Sequence, residues 1–345
     1  MPEVWFAVPG DPETLTGGYI YAKRLTAALR ALGWTIHPLA LPDGFPRPAP
    51  EELVGAQRVL RKVPAGATVL IDGLAYGAFT PAVLAGLDLN VVALVHHPLA
   101  LETGLTPGEA EVFARREREA LRFARAVIAT SPHTAAVLAA DYGVPEAKLS
   151  VALPGTDPRA RAQGTRPTSS LLTVATVTPR KGHDILVAAL AEIADLAWTS
   201  TIAGSLDRAP ATVAALRAQI GRCGLADRIV LTGEISDEAL KRLYISADIF
   251  VLPSRYEGYG MVFADALAGG LPIVACAAGA VVDTVPADAA ILVPTDDIQA
   301  LAAALRGLLT DCDKRQRMAD AAWSAGQALP RWNDTAAVVA KAFQA

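Results

Sequence analysis

Residues 249–275 read IFVLPSRYEGYGMVFADALAGGLPIVA. The apolar run Ile249–Leu252 stops at Pro253-Ser254, a glycine-bearing turn follows, and a helical stretch then leads to a second apolar run, Ile273–Ala275. Strand, helix and strand in that order predict a parallel sheet, because parallel neighbours need a crossover connection. The backbone N–H groups from Gly258 to Val262 stand at the predicted helix start, where no carbonyl one turn back can receive them. Together with the helix dipole, such a start is an anion site, and the glycines let a ligand approach the backbone closely.

The same alternation extends outward. Leu171–Ala175, Thr199–Ile202, Ile229–Leu231 and Ala290–Val293 complete one strand-helix series. An earlier series has predicted strands at Val4–Val8, Thr35–Leu39, Thr68–Asp72, Val91–Val95, Ala126–Thr130 and Ser150–Leu153. Between these lie helical periods over Tyr19–Leu32, Pro50–Arg61, Pro107–Phe123 and Ser131–Tyr142. Periodicity lapses over Pro154–Ser170, PGTDPRARAQGTRPTSS, which reads as an interdomain linker. A chain of 345 residues suits two domains. The expectation is therefore α/β, with Rossmann-like, doubly wound parallel-sheet domains over 1–160 and 161–330 facing a cleft. A helix within 331–345 is expected to return to the first domain.

Composition narrows the function. Hydrophobic residues make up 52% and charged residues 19%, enough for two cores without disulfides or metal. A net charge of -4 argues against a nucleic-acid partner, whose phosphates demand a basic face. Cys223, Cys276 and Cys312 are too widely spaced for a zinc site or a disulfide framework. The N-terminal residues have neither the basic start nor the apolar core of a signal peptide, and apolar runs fall far short of the roughly 20 residues of a spanning helix. A cytoplasmic location is expected. Weak membrane-surface contact is raised by the basic excess of Arg115–Arg125, although its interleaved glutamates favour a solvated helix face.

Glu257 lies in the glycine turn, and Asp265 follows eight residues later, about two helical turns on, so both carboxylates can share one helix face. That spacing suits two parts of one extended ligand; it equally suits a capping acid and a solvated helix residue. At this point the stretch SRYEGYGMVFADALAGGLPIVA resembles the signature of retaining glycosyltransferases of family four, which have the GT-B fold. The resemblance implies that Glu257 contacts donor sugar hydroxyls near the reacting centre. It also implies that Asp265, where the family has a second glutamate, holds the nucleotide ribose. Tyr259, Gly260, Met261 and Val262 fall on the donor-binding turn and helix start.

A second anchor, VATVTPRKGHDIL at Val174–Leu186, resembles the segment whose lysine binds the donor diphosphate, and Lys181 takes that place. A fixed ammonium there would stabilise the nucleoside diphosphate as it leaves. Many family members carry an arginine five positions earlier, where this chain has Thr176. Arg180 is a substitute next to the lysine, although neighbours in an extended loop point apart. Gly17-Gly18, in the loop after the first strand, resembles the glycine pair near the donor phosphate. His96, at the end of the strand in VVALVHHPLAL, matches the histidine bordering donor sugar and acceptor, and His97 is an acceptor-side candidate. The segment ending at Ile235 resembles the one whose backbone reads the base.

The resemblance thus implies metal-independent, front-face transfer of a hexosyl-type sugar. The substrates are a UDP-sugar or GDP-sugar and a small-molecule, lipid or glycan acceptor, with no cofactor beyond the nucleotide sugar. A nucleotide-sugar epimerase of the same fold and a non-catalytic nucleotide-sugar-binding module remain alternatives.

Overall fold

The computed structural model describes residues 1–344 except 12, 15, 103 and 165–167. Expectations falling on those positions, and on Ala345 of the terminal segment, lie outside the described residues. The chain forms two compact units, Met1–Gly155 with Pro330–Ala345, and Thr156–Leu329.

In the first unit, β1 (Glu3–Pro9), β2 (Thr35–Leu41), β3 (Thr68–Asp72), β4 (Asn90–Val95), β5 (Ala126–Ala129) and β6 (Leu149–Val151) form one sheet. Their order is β2-β1-β3-β4-β5-β6, and every pairing is parallel. Residues 91–95 of β4 and all of β5 are buried, as strands covered by helices on both faces must be. On one face, Val91, Ala93, Val95, Val127 and Ala129 pack with Leu60, Tyr76, Phe79, Ala120 and Leu138. The helix Trp332–Ala342 belongs to this unit: Trp332 meets Tyr21 edge-on at 5.5 Å, and Thr335 Oγ1 donates to Leu153 O at 2.7 Å.

In the second unit, β7 (Ser169–Val174), β8 (Trp198–Ala203), β9 (Ile229–Gly233), β10 (Ile249–Leu252), β11 (Ile273–Cys276) and β12 (Ala290–Val293) form the other sheet. The order β12-β11-β10-β7-β8-β9 is again parallel throughout. One core layer packs Leu186, Leu190, Leu301, Leu305 and Trp198 on the sheet, and another packs Phe250, Phe263, Leu267 and Tyr244.

Two expectations need correction. The unit begins at Thr156 rather than 161, and residues 156–164, although without regular secondary structure, are held to it. Ala162 N donates to Gly269 O and Gln163 N to Ile245 O, both at 2.8 Å, so polar composition concealed a pinned segment. The helix after β1 begins at Gly17, which places Gly17-Gly18 in its first turn rather than in the loop.

Candidate active site

In an open parallel sheet, ligands bind beyond the carboxyl ends of the strands where the strand order reverses. In the second unit that point lies between β7 and β10. The Lys181 loop leaves β7 and the Glu257 loop leaves β10, so topology alone brings the two motifs side by side. Gly182 locks them: its φ is +66°, and a Cβ there would overlap the carbonyl of Pro253. Arg255 ties the same loops from outside. Its backbone N–H donates to Arg180 O at 2.7 Å, while its guanidinium reaches Asp184 at 2.8 Å and Asp296 at 2.7 Å.

At the centre, Glu257 is only 5% exposed. Lys181 Nζ lies 2.6 Å from Glu257 Oε1, Ser254 Oγ donates to the same oxygen at 2.6 Å, and Arg180 Nη1 stands 3.5 Å from Oε2. Burial pushes the Glu257 carboxyl up; the Lys181 and Arg180 charges, with hydrogen bonds from Lys181 and Ser254, outweigh this and hold it below the ordinary carboxylate range. Arg180 also donates to Tyr256 O at 2.9 Å. Arg180 and Lys181 do not point apart, because Pro179–Lys181 is a tight helical turn rather than an extended loop. Thr176 lies half-buried earlier in that loop.

The helix Met261–Ala268 starts from Gly260, whose φ of +85° turns the chain from the loop into the helix. Met261 and Val262 are half-buried in its first turn, and Tyr259 is buried before it. Burial, assisted by Asp265, pushes the Tyr259 phenol up to about 12. Asp265 is half-buried on the helix, and its Oδ1 pairs with Arg159 Nη2 at 2.8 Å. Arg159 in turn lies 4.3 Å above the ring of Tyr244. Ile235, half-buried, follows β9 at the sheet edge.

The first unit gathers its own cluster where its strand order reverses, between β1 and β3. Gly18 lies in the first turn of the helix after β1, and a Cβ there would come within 3.5 Å of the His96 ring. Asp72, buried at the end of β3, presents Oδ2 to His96 Nε2 at 3.3 Å and accepts Leu74 N through Oδ1 at 2.9 Å. The His96 ring also meets Tyr21 edge-on at 5.2 Å. His97 faces Glu102 at 3.4 Å.

The structure therefore brings Lys181, Arg180 and Glu257 together, seats Asp265 on the helix that follows the Glu257 turn, and places Gly17, Gly18 and His96 in the other unit. Sequence reasoning missed Ser254, Asp72 and Arg159. An acid ending a parallel strand was a readable signal for Asp72, and Pro-Ser ending another was one for Ser254. Arg159 lies in a stretch without periodicity and gave none. Among the described residues no group of three or more His, Cys, Asp or Glu is arranged to hold a metal ion. No helix among them is long and apolar enough to cross a membrane.

Comparison with known proteins bears on family and fold. A family model described as "Glycosyl transferases group 1" matches residues 168–311, and one described as "Glycosyltransferase Family 4" matches residues 19–160. The GDP-mannose-dependent alpha-(1-6)-phosphatidylinositol monomannoside mannosyltransferase of Mycobacterium tuberculosis is 31% identical over 235 residues, covering 61% of this chain and 59% of that protein. The chain spans less than two thirds of the length of the curated relatives it matches. Among solved structures, sucrose-phosphate synthase from Thermosynechococcus elongatus superposes with a TM-score of 0.85 at 22% identity, over 100% of this chain and 98% of that one. Anabaena HepE, solved in complex with UDP-glucose, gives a TM-score of 0.77 at 18% identity over 99% of each chain. These likenesses establish the GT-B fold.

Proposed function

Because the chain belongs to the group-one, family-four glycosyltransferases, we propose that it moves a hexosyl group from a nucleoside diphosphate sugar to an acceptor hydroxyl with retention of anomeric configuration. The observation that carries this reading is the pairing of half-buried Lys181 with buried Glu257 at the β7–β10 reversal, beside a helix N-terminus.

In this reading the bond between the anomeric carbon and the phosphate oxygen breaks, and the electron pair leaves with the nucleoside diphosphate. Lys181 and Arg180 stabilise the developing charge, together with the first-turn N–H groups of Met261–Ala268. The acceptor oxygen attacks the same face of the sugar, and its proton passes to the departing phosphate, so no protein nucleophile is needed. Two carboxylates flanking the scissile bond would instead mark a retaining glycosidase. Asp265 stands on the helix Met261–Ala268, beyond the non-helical turn that carries Glu257, so the two carboxylates do not share one helix face, and Asp265 is assigned to the ribose. Glu257 is assigned to the sugar hydroxyls, and the His96 cluster of the first unit to the acceptor side. The mycobacterial relative is named for GDP-mannose and HepE was solved with UDP-glucose, so both donor classes are in play. The cations already present supply positive potential, and transfer is expected to survive chelator treatment.

The test begins with melting temperatures in UDP, GDP, UDP-glucose and GDP-mannose, since only a ligand that binds the native state raises them. The stabilising sugar nucleotide is then incubated with hydroxyl acceptors and the products analysed for new glycosides. Lys181→Ala and Glu257→Ala are each expected to lower transfer at least 100-fold, on the scale of losing one charge-stabilising group, with circular dichroism unchanged. Full activity in either variant removes that residue from its role. Conversion of donor alone to an epimer would replace transfer with epimerisation.

A further inference from the structure

Glu257 does more in this geometry than face a sugar. Its carboxylate already occupies the two cations that the preceding reading gives to the diphosphate: Lys181 at 2.6 Å and Arg180 at 3.5 Å. It is held in that position, because Ser254 Oγ donates to Oε1 at 2.6 Å and Ala280 N donates to the Glu257 backbone carbonyl at 2.9 Å. A side chain that is 5% exposed and fixed at both ends has little room to swing away when phosphate arrives.

Two cations and one carboxylate leave a net single positive charge in the pocket. A sugar nucleotide and the nucleoside diphosphate left after transfer differ in charge there. The ester bond blocks one ionisation of the terminal phosphate, whereas the free terminal phosphate ionises a second time near pH 6. At neutral pH the product therefore brings roughly one more negative charge to the Glu257 carboxylate than the donor does. Like charges at short range in a dry site repel strongly.

We propose that Glu257 is an affinity-setting residue, an internal counter-ion to Lys181 and Arg180 that weakens the grip on free nucleoside diphosphate relative to the sugar-bearing donor and so favours product release. This rests on the nucleotide-sugar reading of the site, and it gives Glu257 a task separate from contacting sugar hydroxyls.

Calorimetric titration of UDP, GDP, UDP-glucose and GDP-mannose at pH 7.5 into wild type, Glu257→Gln and Glu257→Ala tests it. The diphosphate that wild type binds is expected to bind at least tenfold tighter in Glu257→Gln, while the matching sugar nucleotide gains less or weakens. Glu257→Ala makes the same charge change and serves if the amide variant folds poorly. Adding Lys181→Met to Glu257→Gln is expected to return diphosphate affinity to the wild-type value or below. Unchanged or weaker diphosphate binding in the single variants overturns the proposal, as does a double variant that stays tight. Wild type that binds neither UDP nor GDP overturns the nucleotide reading itself, and this inference with it.

Discussion

Asp265 is one methylene shorter than the glutamate expected at its position, and the structure supplies a partner that bears on the shortfall. The Arg159 guanidinium lies 2.8 Å from Asp265 Oδ1 and is itself stacked 4.3 Å above Tyr244. A planar cation held between a ring and a carboxylate fixes that carboxylate, which an unattached aspartate would not be. Arg159→Met is therefore expected to raise the donor KM about tenfold, the scale of one charge-assisted hydrogen bond, with kcat little changed. Asp265→Glu is expected to keep donor affinity within a few-fold of wild type. Steady-state kinetics with varied donor read both, and an unchanged KM in Arg159→Met would detach the arginine from donor binding. No sequence signal pointed to this pair, because 106 residues separate its members and neither sits in a periodic pattern with the other.

At the scale of elements, the strands were legible because strands buried on both faces read as unbroken apolar runs. The lysine loop and the carboxylate helix were legible because phosphate chemistry restricts the residue types that serve it. The helix Pro107–Leu121 shows where such reading stops. Its charge pattern suggested a solvated face, yet Glu117 points inward, is 1% exposed, and accepts Leu99 N at 2.9 Å. It thereby ties this helix to the segment that follows His96 and His97. Burial pushes its carboxyl up to about 8, and the hydrogen bond from Leu99 offsets only part of that. The folded value lies above the unfolded value of 4.5, so the folded state retains a proton that the unfolded state gives up. The associated stability is complete below pH 4.5 and is lost as pH rises through about 8. Glu117→Gln keeps an acceptor for Leu99 and removes the titration. It is expected to be more stable than wild type at pH 9, by about 5 kcal/mol at most. Chemical denaturation at pH 5 and pH 9 checks this, and parallel pH slopes in the two proteins would contradict it.

At the scale of the whole molecule, the second unit is an insertion: the chain leaves the first unit after Gly155 and rejoins it at Pro330. The rejoining segment is fastened by Trp332 on Tyr21, Thr335 on Leu153, and Phe343 on Trp34 at 5.1 Å. A chain ending at Leu329 is expected to lose several kcal/mol from the first unit, since burying an aromatic side chain is worth about 3–5 kcal/mol. The second unit is expected to keep its stabilisation by nucleotide. Calorimetry with and without the binding diphosphate distinguishes the two transitions, and a nucleotide effect that vanished with the truncation would refute the assignment of the tail to the first unit alone. The insertion also fixes an order of birth. Every strand of both sheets leaves the ribosome before the helix that completes the older half. The later-made unit is therefore finished first, and the earlier-made one must wait, with Tyr21 uncovered, for the helix Trp332–Ala342 to be translated.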